Sequence, residues 1–121
     1  MKTFRVVVLA LGVIHALLAA LTALTGGFAD GGDLWSRLTL MLIHPVTAAV
    51  LLYMVILREP SRRLLMIGSA LILVNMLADA SLALSILSGN MKGDWWLALV
   101  FSAVPLLGLI YAVTLLTRRA E

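Results

Sequence analysis

The chain has 121 residues, of which 63% are hydrophobic and 12% are charged, and its mean hydropathy is +1.11. This composition excludes an ordinary soluble globular protein, and the length fits a single domain. The formal charge of +3 comes from short basic clusters between long apolar runs, so we expect no nucleic-acid partner. Because the chain contains no cysteine, disulfides, thiolate metal sites and thiol chemistry are excluded.

Four apolar runs are each long enough to cross a membrane, which takes roughly 20 helical residues. They predict helices over 5–25, 36–57, 63–88 and 95–117. The first run is longer than the apolar part of a typical signal peptide, and no clear cleavage site follows it, so we interpret it as a spanning helix. Short connections make successive helices antiparallel. The sequence therefore predicts an all-α integral membrane protein, an up-down four-helix transmembrane bundle.

The basic residues predict the orientation of this bundle. Seven of the nine fall on one side: Lys2, Arg5, Arg58, Arg62, Arg63, Arg118 and Arg119. The positive-inside rule places this side, with both termini, in the cytoplasm. Tyr53 and Tyr111 precede these arginines and are predicted to lie in the aromatic belt at the same interface. We expect a multi-pass protein of the plasma membrane, which in a bacterium is the inner membrane.

Polar residues interrupt all four runs. In chain order they are His15 in the first helix, His44 in the second, Asn75 and Asp79 in the third, and Ser102 in the fourth. Ionisable groups at membrane depth are costly and mark functional sites by default. Stripes of small residues accompany them, and small residues let membrane helices approach closely. The five polar residues are therefore predicted to converge on the bundle axis as a midplane site.

Helical rise predicts which of these side chains meet. Counted from the cytoplasmic arginines, His15 lies about 15 Å deep, Asn75 about 18 Å, His44 about 21 Å and Asp79 about 24 Å. An ionised carboxylate without a partner is unstable in hydrocarbon, so Asp79 requires either a proton or a donor. His44 is the donor predicted for Asp79, and His15 falls at the depth of Asn75.

Two prolines lie close to this depth, Pro45 in the second helix and Pro105 in the fourth. Proline inside a helix frees a carbonyl one turn earlier and often kinks the helix. We therefore expect kinks at both positions. At the opposite interface, Asp33 and Asp94 precede helices and are predicted to cap them.

The polar site favours proton-linked transport or permeation of a small solute or ion. Aspartate and histidine exchange protons, asparagine and serine coordinate solutes, and kinked helices permit alternative packings. The size and helix count resemble those of the small multidrug resistance transporters. That family carries its essential glutamate in the first helix, where this chain has none. Because four helices offer little room for a pathway, we expect a homo-oligomer or membership of a larger membrane complex.

Two other hypotheses remain open. In one, His15 and His44 are the axial ligands of a b-type haem in an electron-transfer subunit, since a bis-histidine site needs two imidazoles near one depth. In the other, the polar residues only fix helix packing in a non-catalytic accessory subunit, because membrane helices use such hydrogen bonds as modest glue. An enzyme is less favoured, since the sequence contains no nucleophile, phosphate-loop or HExxH motif.

Overall fold

The computed structural model describes residues 1–24, 29–31 and 33–121, with backbone alone at 29–31. Its helices are α1 (Lys2–Leu24), α2 (Leu34–Ile56), α3 (Arg62–Leu87), α4 (Trp95–Val100) and α5 (Ala103–Ala120). Helices α4 and α5 together form one span, Trp95–Ala120. Within the described ranges, four helical segments are thus long and apolar enough to cross a membrane. The predicted helical architecture is confirmed at this level.

Two short strands add a feature that the sequence does not predict. Strand β1 (Ala29–Gly31) follows α1, and strand β2 (Met91–Gly93) follows α3. They pair antiparallel, with Ala29 opposite Gly93 and Gly31 opposite Met91. The pairing joins two helix–helix connections at one end of the bundle, which we call the sheet end.

The opposite end, which we call the terminal end, brings both termini to the turn between α2 and α3. The Arg5 side chain donates from Nε to the Val55 carbonyl (2.7 Å) and from Nη2 to the Ile56 carbonyl (2.6 Å). These carbonyls lie in the last turn of α2, where the helix itself offers no donor. Arg119 Nη1 donates to the Pro60 carbonyl (2.6 Å). The two arginines therefore tie α1 and α5 to the same turn.

The starts of the helices are defined by capping at two positions and not at a third. Asp33, which directly precedes α2, accepts hydrogen bonds from the backbone (3.2 Å) and the hydroxyl (2.5 Å) of Ser36 in the first turn of that helix. Ser61 accepts from the Leu64 backbone (3.1 Å) and begins α3 in the same way. Asp94 precedes α4, but its side chain makes no capping bond with any described residue. The predicted cap is therefore wrong at Asp94.

The fourth span is interrupted close to Pro105. Residues Phe101 and Ser102 form a turn between α4 and α5, in which the Ser102 backbone donates to the Leu99 carbonyl (3.0 Å). Since proline has no N–H, Pro105 offers no helical donor to the Phe101 carbonyl. Helix α2, by contrast, continues through Pro45 without interruption. The two prolines thus have different local outcomes.

The main apolar core fills the half of the bundle nearest the terminal end. Its buried members are Val8, Leu51, Met54, Val55, Leu65, Ile72, Tyr111 and Ala112. Helices approach closely here: a Cβ on Gly108 would lie 2.5 Å from Leu51 Cδ1, and one on Gly68 would collide with Met54. A smaller cluster near the sheet end contains Leu82, Ala83, Met91 and Ala98.

Tyr111 belongs to this core, which corrects its expected place in an aromatic belt. It is only 2% exposed, and its ring packs against Phe4 with centroids 6.2 Å apart. Tyr53, which was assigned to the same belt, is 57% exposed. Sequence position near a helix end does not distinguish these two orientations, because it does not fix the direction in which a ring points.

Candidate functional site

The polar layer, which we define as His15, His44, Asn75, Asp79 and Ser102, lies between the two apolar clusters. His15 and His44 are buried, Asn75 and Asp79 have no exposed surface, and Ser102 is half-buried. Each spanning segment contributes at least one member. The structure thus brings into the bundle interior all five residues that the sequence singled out.

Asp79 is the centre of the hydrogen bonding. Its Oδ1 lies 2.5 Å from His44 Nε2 on α2. Its Oδ2 accepts from Asn75 Nδ2 (3.1 Å), one turn earlier on α3, and from Ser102 Oγ (2.7 Å), in the turn between α4 and α5. Hydrogen bonds to both oxygens compensate for the loss of water around a carboxyl group. The carboxyl group therefore links three of the four spans.

The hydrogen bonds of His44 indicate which of its ring nitrogens carries a hydrogen. Its Nδ1 lies 2.7 Å from the Leu40 carbonyl, which only accepts, so Nδ1 carries a hydrogen. The contact between Nε2 and Asp79 then holds one further proton, either on the imidazole or on the carboxyl group. In both arrangements the pair is neutral overall. Removing that proton would leave a net negative charge in the bundle interior.

His15 stands apart from this network. Its ring lies 5.8 Å from that of Phe101, which in turn lies 5.6 Å from the ring of His44. Among the described residues, His15 Nε2 has no hydrogen-bond partner, and neither has Asn75 Oδ1. The contact that their similar depths suggested is therefore not made. Phe101 was not foreseen as part of the site, because one phenylalanine in an apolar run carries no signal.

The haem hypothesis does not fit this geometry. An axial ligand must offer a ring nitrogen to the iron. Both ring nitrogens of His44 are already engaged, one by Leu40 and the other by Asp79. The Phe101 ring also packs against both imidazoles. A haem between His15 and His44 would have to displace Phe101 and break the contact with Asp79.

A cavity of about 460 Å³ opens between α2 and α3 toward the sheet end. Apolar atoms make up most of its lining surface, but six of its eleven lining residues are polar: Asp33, Ser36, Thr39, Ser81, Ser85 and Asn90. The lining also includes Leu40, whose carbonyl lies against His44 Nδ1, and Ala78, the chain neighbour of Asp79. The cavity therefore reaches to within one helical turn of the His44–Asp79 pair.

Two polar atoms on the other side of the pair have no hydrogen-bond partner in the part of the chain that the structure describes. Thr47 Oγ1, one turn beyond His44 toward the terminal end, is fully buried without a hydrogen bond to any described residue. Asn75 Oδ1 lies one turn beyond Asp79 in the same direction. Leaving a buried polar group unpaired costs about 1–3 kcal/mol. These two atoms therefore remain available to a proton carrier or a polar solute.

Comparison of the chain with protein-family models, with curated proteins and with solved structures finds no match. The geometry of the site is therefore the basis for assigning a function.

Proposed function

We propose that this protein moves protons across a membrane together with a small polar solute or ion, and that the His44–Asp79 pair carries the proton. One observation supports this most strongly: the Asp79 carboxyl and the His44 imidazole are both buried, and Asp79 Oδ1 lies 2.5 Å from His44 Nε2. Such groups at membrane depth are typical of proton relays. Hydrogen bonds that served packing alone would not require two ionisable groups.

Access to the pair supports transport over a static structural role. The cavity on the sheet side gives the pair an approach that contains six polar residues and reaches Leu40 and Ala78. On the terminal side, the apolar core separates it from solvent. A proton carrier needs such one-sided access at each stage, since a pathway open to both sides would dissipate the gradient.

The interruption of the fourth span provides a means of changing that access. Ser102 lies in the turn between α4 and α5 and donates to Asp79, so the state of the carboxyl group affects the turn directly. Protonated Asp79 offers one fewer acceptor site than the carboxylate. We infer that loss of a bond at Ser102 lets α4 and Phe101 shift. The Thr47 and Asn75 oxygens, which have no partner among the described residues, then accept hydrogen bonds from a protonated water molecule or from the solute.

The proposed orientation follows the basic residues. With the terminal end in the cytoplasm, the cavity opens to the outside and the polar layer lies near the bilayer centre. We propose the plasma membrane as the location, which in a bacterium is the inner membrane. We propose a homo-oligomer as the working form, since one four-helix bundle leaves little space for a complete pathway.

The test uses purified protein in liposomes that contain a pH-sensitive dye. A potassium diffusion potential drives protons inward, alone and with a panel of small polar solutes in the medium. We expect wild-type protein to acidify the lumen, and the Asp79→Asn variant to match empty liposomes. Asparagine keeps the shape of the side chain and its bond to Ser102, but it cannot carry the proton.

Asp94→Asn is the matched control, because it makes the same change at a carboxylate that caps no helix. It should retain wild-type flux, and size-exclusion chromatography should show that all three proteins are equally monodisperse. Wild-type flux in the Asp79→Asn variant would contradict the proposal. Wild-type protein that moves no protons, and that co-purifies with a larger complex, would favour an accessory subunit instead.

A further inference from the structure

A second cavity, which we call the basic groove, lies at the terminal end, far from the polar layer. It measures about 570 Å³ and is lined by Lys2, Arg5, Val6, Leu9 and Arg58. Three cationic side chains thus meet two aliphatic ones between the start of α1 and the residues that follow α2. Such a combination suits a ligand with an anionic head and an apolar tail.

Arg5 is fixed in this groove by the backbone of α2. Two of its nitrogens donate to the Val55 and Ile56 carbonyls at 2.7 and 2.6 Å. Its Nη1 hydrogens have no partner among the described residues. An arginine held in this way loses little side-chain freedom when it binds an anion, and its planar donors match phosphate oxygens well.

The other two cations are not neutralised within the described chain. The only ion pair found there joins His44 to Asp79, so neither Lys2 nor Arg58 is matched by a carboxylate. Both side chains are exposed. The first turn of α1, which begins at Lys2, adds the positive end of a helix dipole. The groove is therefore strongly electropositive.

In a membrane-inserted bundle, the aliphatic side of the groove faces the hydrocarbon of the bilayer. Val6 is 63% exposed and Leu9 is half-buried, and both lie farther along α1 than Lys2 and Arg5. In a spanning helix this order puts the charges at headgroup depth and the aliphatic side chains beside acyl chains. A phosphate bound by the cations would thus have its acyl chains against α1.

We propose that the basic groove binds the phosphate of an anionic phospholipid, with an acyl chain packed along Val6 and Leu9. The site does not depend on proton transport, and either proposal can fail without the other. Lipid bound here would bridge α1 to the end of α2 and so stabilise the contact that Arg5 already makes.

The test measures binding by native mass spectrometry of the detergent-solubilised full chain. The probes are phosphatidylglycerol, phosphatidylcholine of equal chain length, and inorganic phosphate. The variant is Lys2→Gln/Arg58→Gln, which leaves the Arg5 contacts with α2 in place. Each basic residue near an anionic lipid surface contributes about 1 kcal/mol, so we expect the variant to bind phosphatidylglycerol at least about tenfold more weakly.

Arg63→Gln is the matched control, because Arg63 is an exposed cation at the same end but lies outside the groove. It should keep wild-type affinity for phosphatidylglycerol. Equal affinity of the double variant and wild type would overturn the proposal. So would an equal loss in Arg63→Gln, which would indicate diffuse attraction, or equal binding of phosphatidylcholine. Binding of inorganic phosphate as tight as that of the lipid would assign the groove to free phosphate.

Discussion

The bundle is packed differently on the two sides of the polar layer. In the terminal half, Leu51, Met54 and Ile72 have no exposed surface, and helices touch at glycine. In the sheet half, the buried cluster is smaller and a cavity of about 460 Å³ opens between α2 and α3. The fourth span is interrupted where this half meets the polar layer. Dense packing resists rearrangement, whereas an underfilled region allows it. The difference indicates which half is suited to move.

The largest expected effect is a difference in water access between the two halves. Thiol labelling measures it, since the chain has no native cysteine. Ser85 lines the cavity, whereas Thr47 is fully buried on the terminal side of His44. A membrane-impermeant maleimide should label the Ser85→Cys variant much faster than the Thr47→Cys variant, because the reagent needs a water-accessible thiolate. Mass spectrometry of each protein in liposomes measures the labelled fraction.

Both variants should label fully after denaturation, which controls for the reactivity of the introduced thiols. Wild-type protein gives the background, and it should take up no reagent. Equal labelling of the two folded variants would show that water reaches both halves. The terminal core would then not close the pathway, and the packing difference would have no bearing on access.

A second prediction concerns stability. Ile72→Ala removes side-chain atoms from the dense core and should lower the free energy of unfolding by about 2–5 kcal/mol, the usual range for such truncations. Leu82 lines the existing cavity, where neighbouring side chains have room to relax. The Leu82→Ala variant should therefore lose free energy of unfolding at or below the low end of that range. Unfolding in mixed micelles with increasing denaturing detergent measures both values.

Equal losses at the two positions would contradict the comparison, because the sheet half would then be packed as tightly as the terminal half. Circular dichroism of each variant before unfolding checks that its helices are intact. The wild-type chain provides the reference in both measurements.

In the polar layer, the sequence predicts the depth of each side chain but not the direction in which it points. Helical rise is nearly constant, so depth along a helix can be counted, and His44 does lie against Asp79. Depth gives no rotation about the helix axis, so the suggested contact between His15 and Asn75 was not found. The burial of Tyr111 was not predicted for the same reason, because a ring near a helix end can face either lipid or the core.

Other features depend on tertiary contacts that leave little trace in sequence. Strands β1 and β2 have three residues each, too few for a recognisable alternation of polar and apolar positions. Phe101 acquires its place between two imidazoles only because the fourth span is interrupted there. The cavity between α2 and α3 depends on which residues of the two helices lie opposite each other, and no pattern in the sequence predicts that pairing.

The smallest predicted effect lies at the rim of that cavity, where Asp33 caps α2. Hydrogen bonds from the Ser36 hydroxyl and backbone hold the pKa of Asp33 below its ordinary value of 3.8. Because the pKa is lower in the folded state, the cap contributes stability above pH 3.8 and loses that contribution as the pH falls through the folded value.

The Asp33→Ala variant should therefore unfold at a slightly lower temperature than wild type at pH 6, and the difference in unfolding temperature should narrow toward pH 3. Asp94→Ala is the control, because it removes a carboxylate that makes no capping bond with any described residue. A gap at Asp33 that stays constant with pH would mean that the side chain stabilises α2 through something other than its charge.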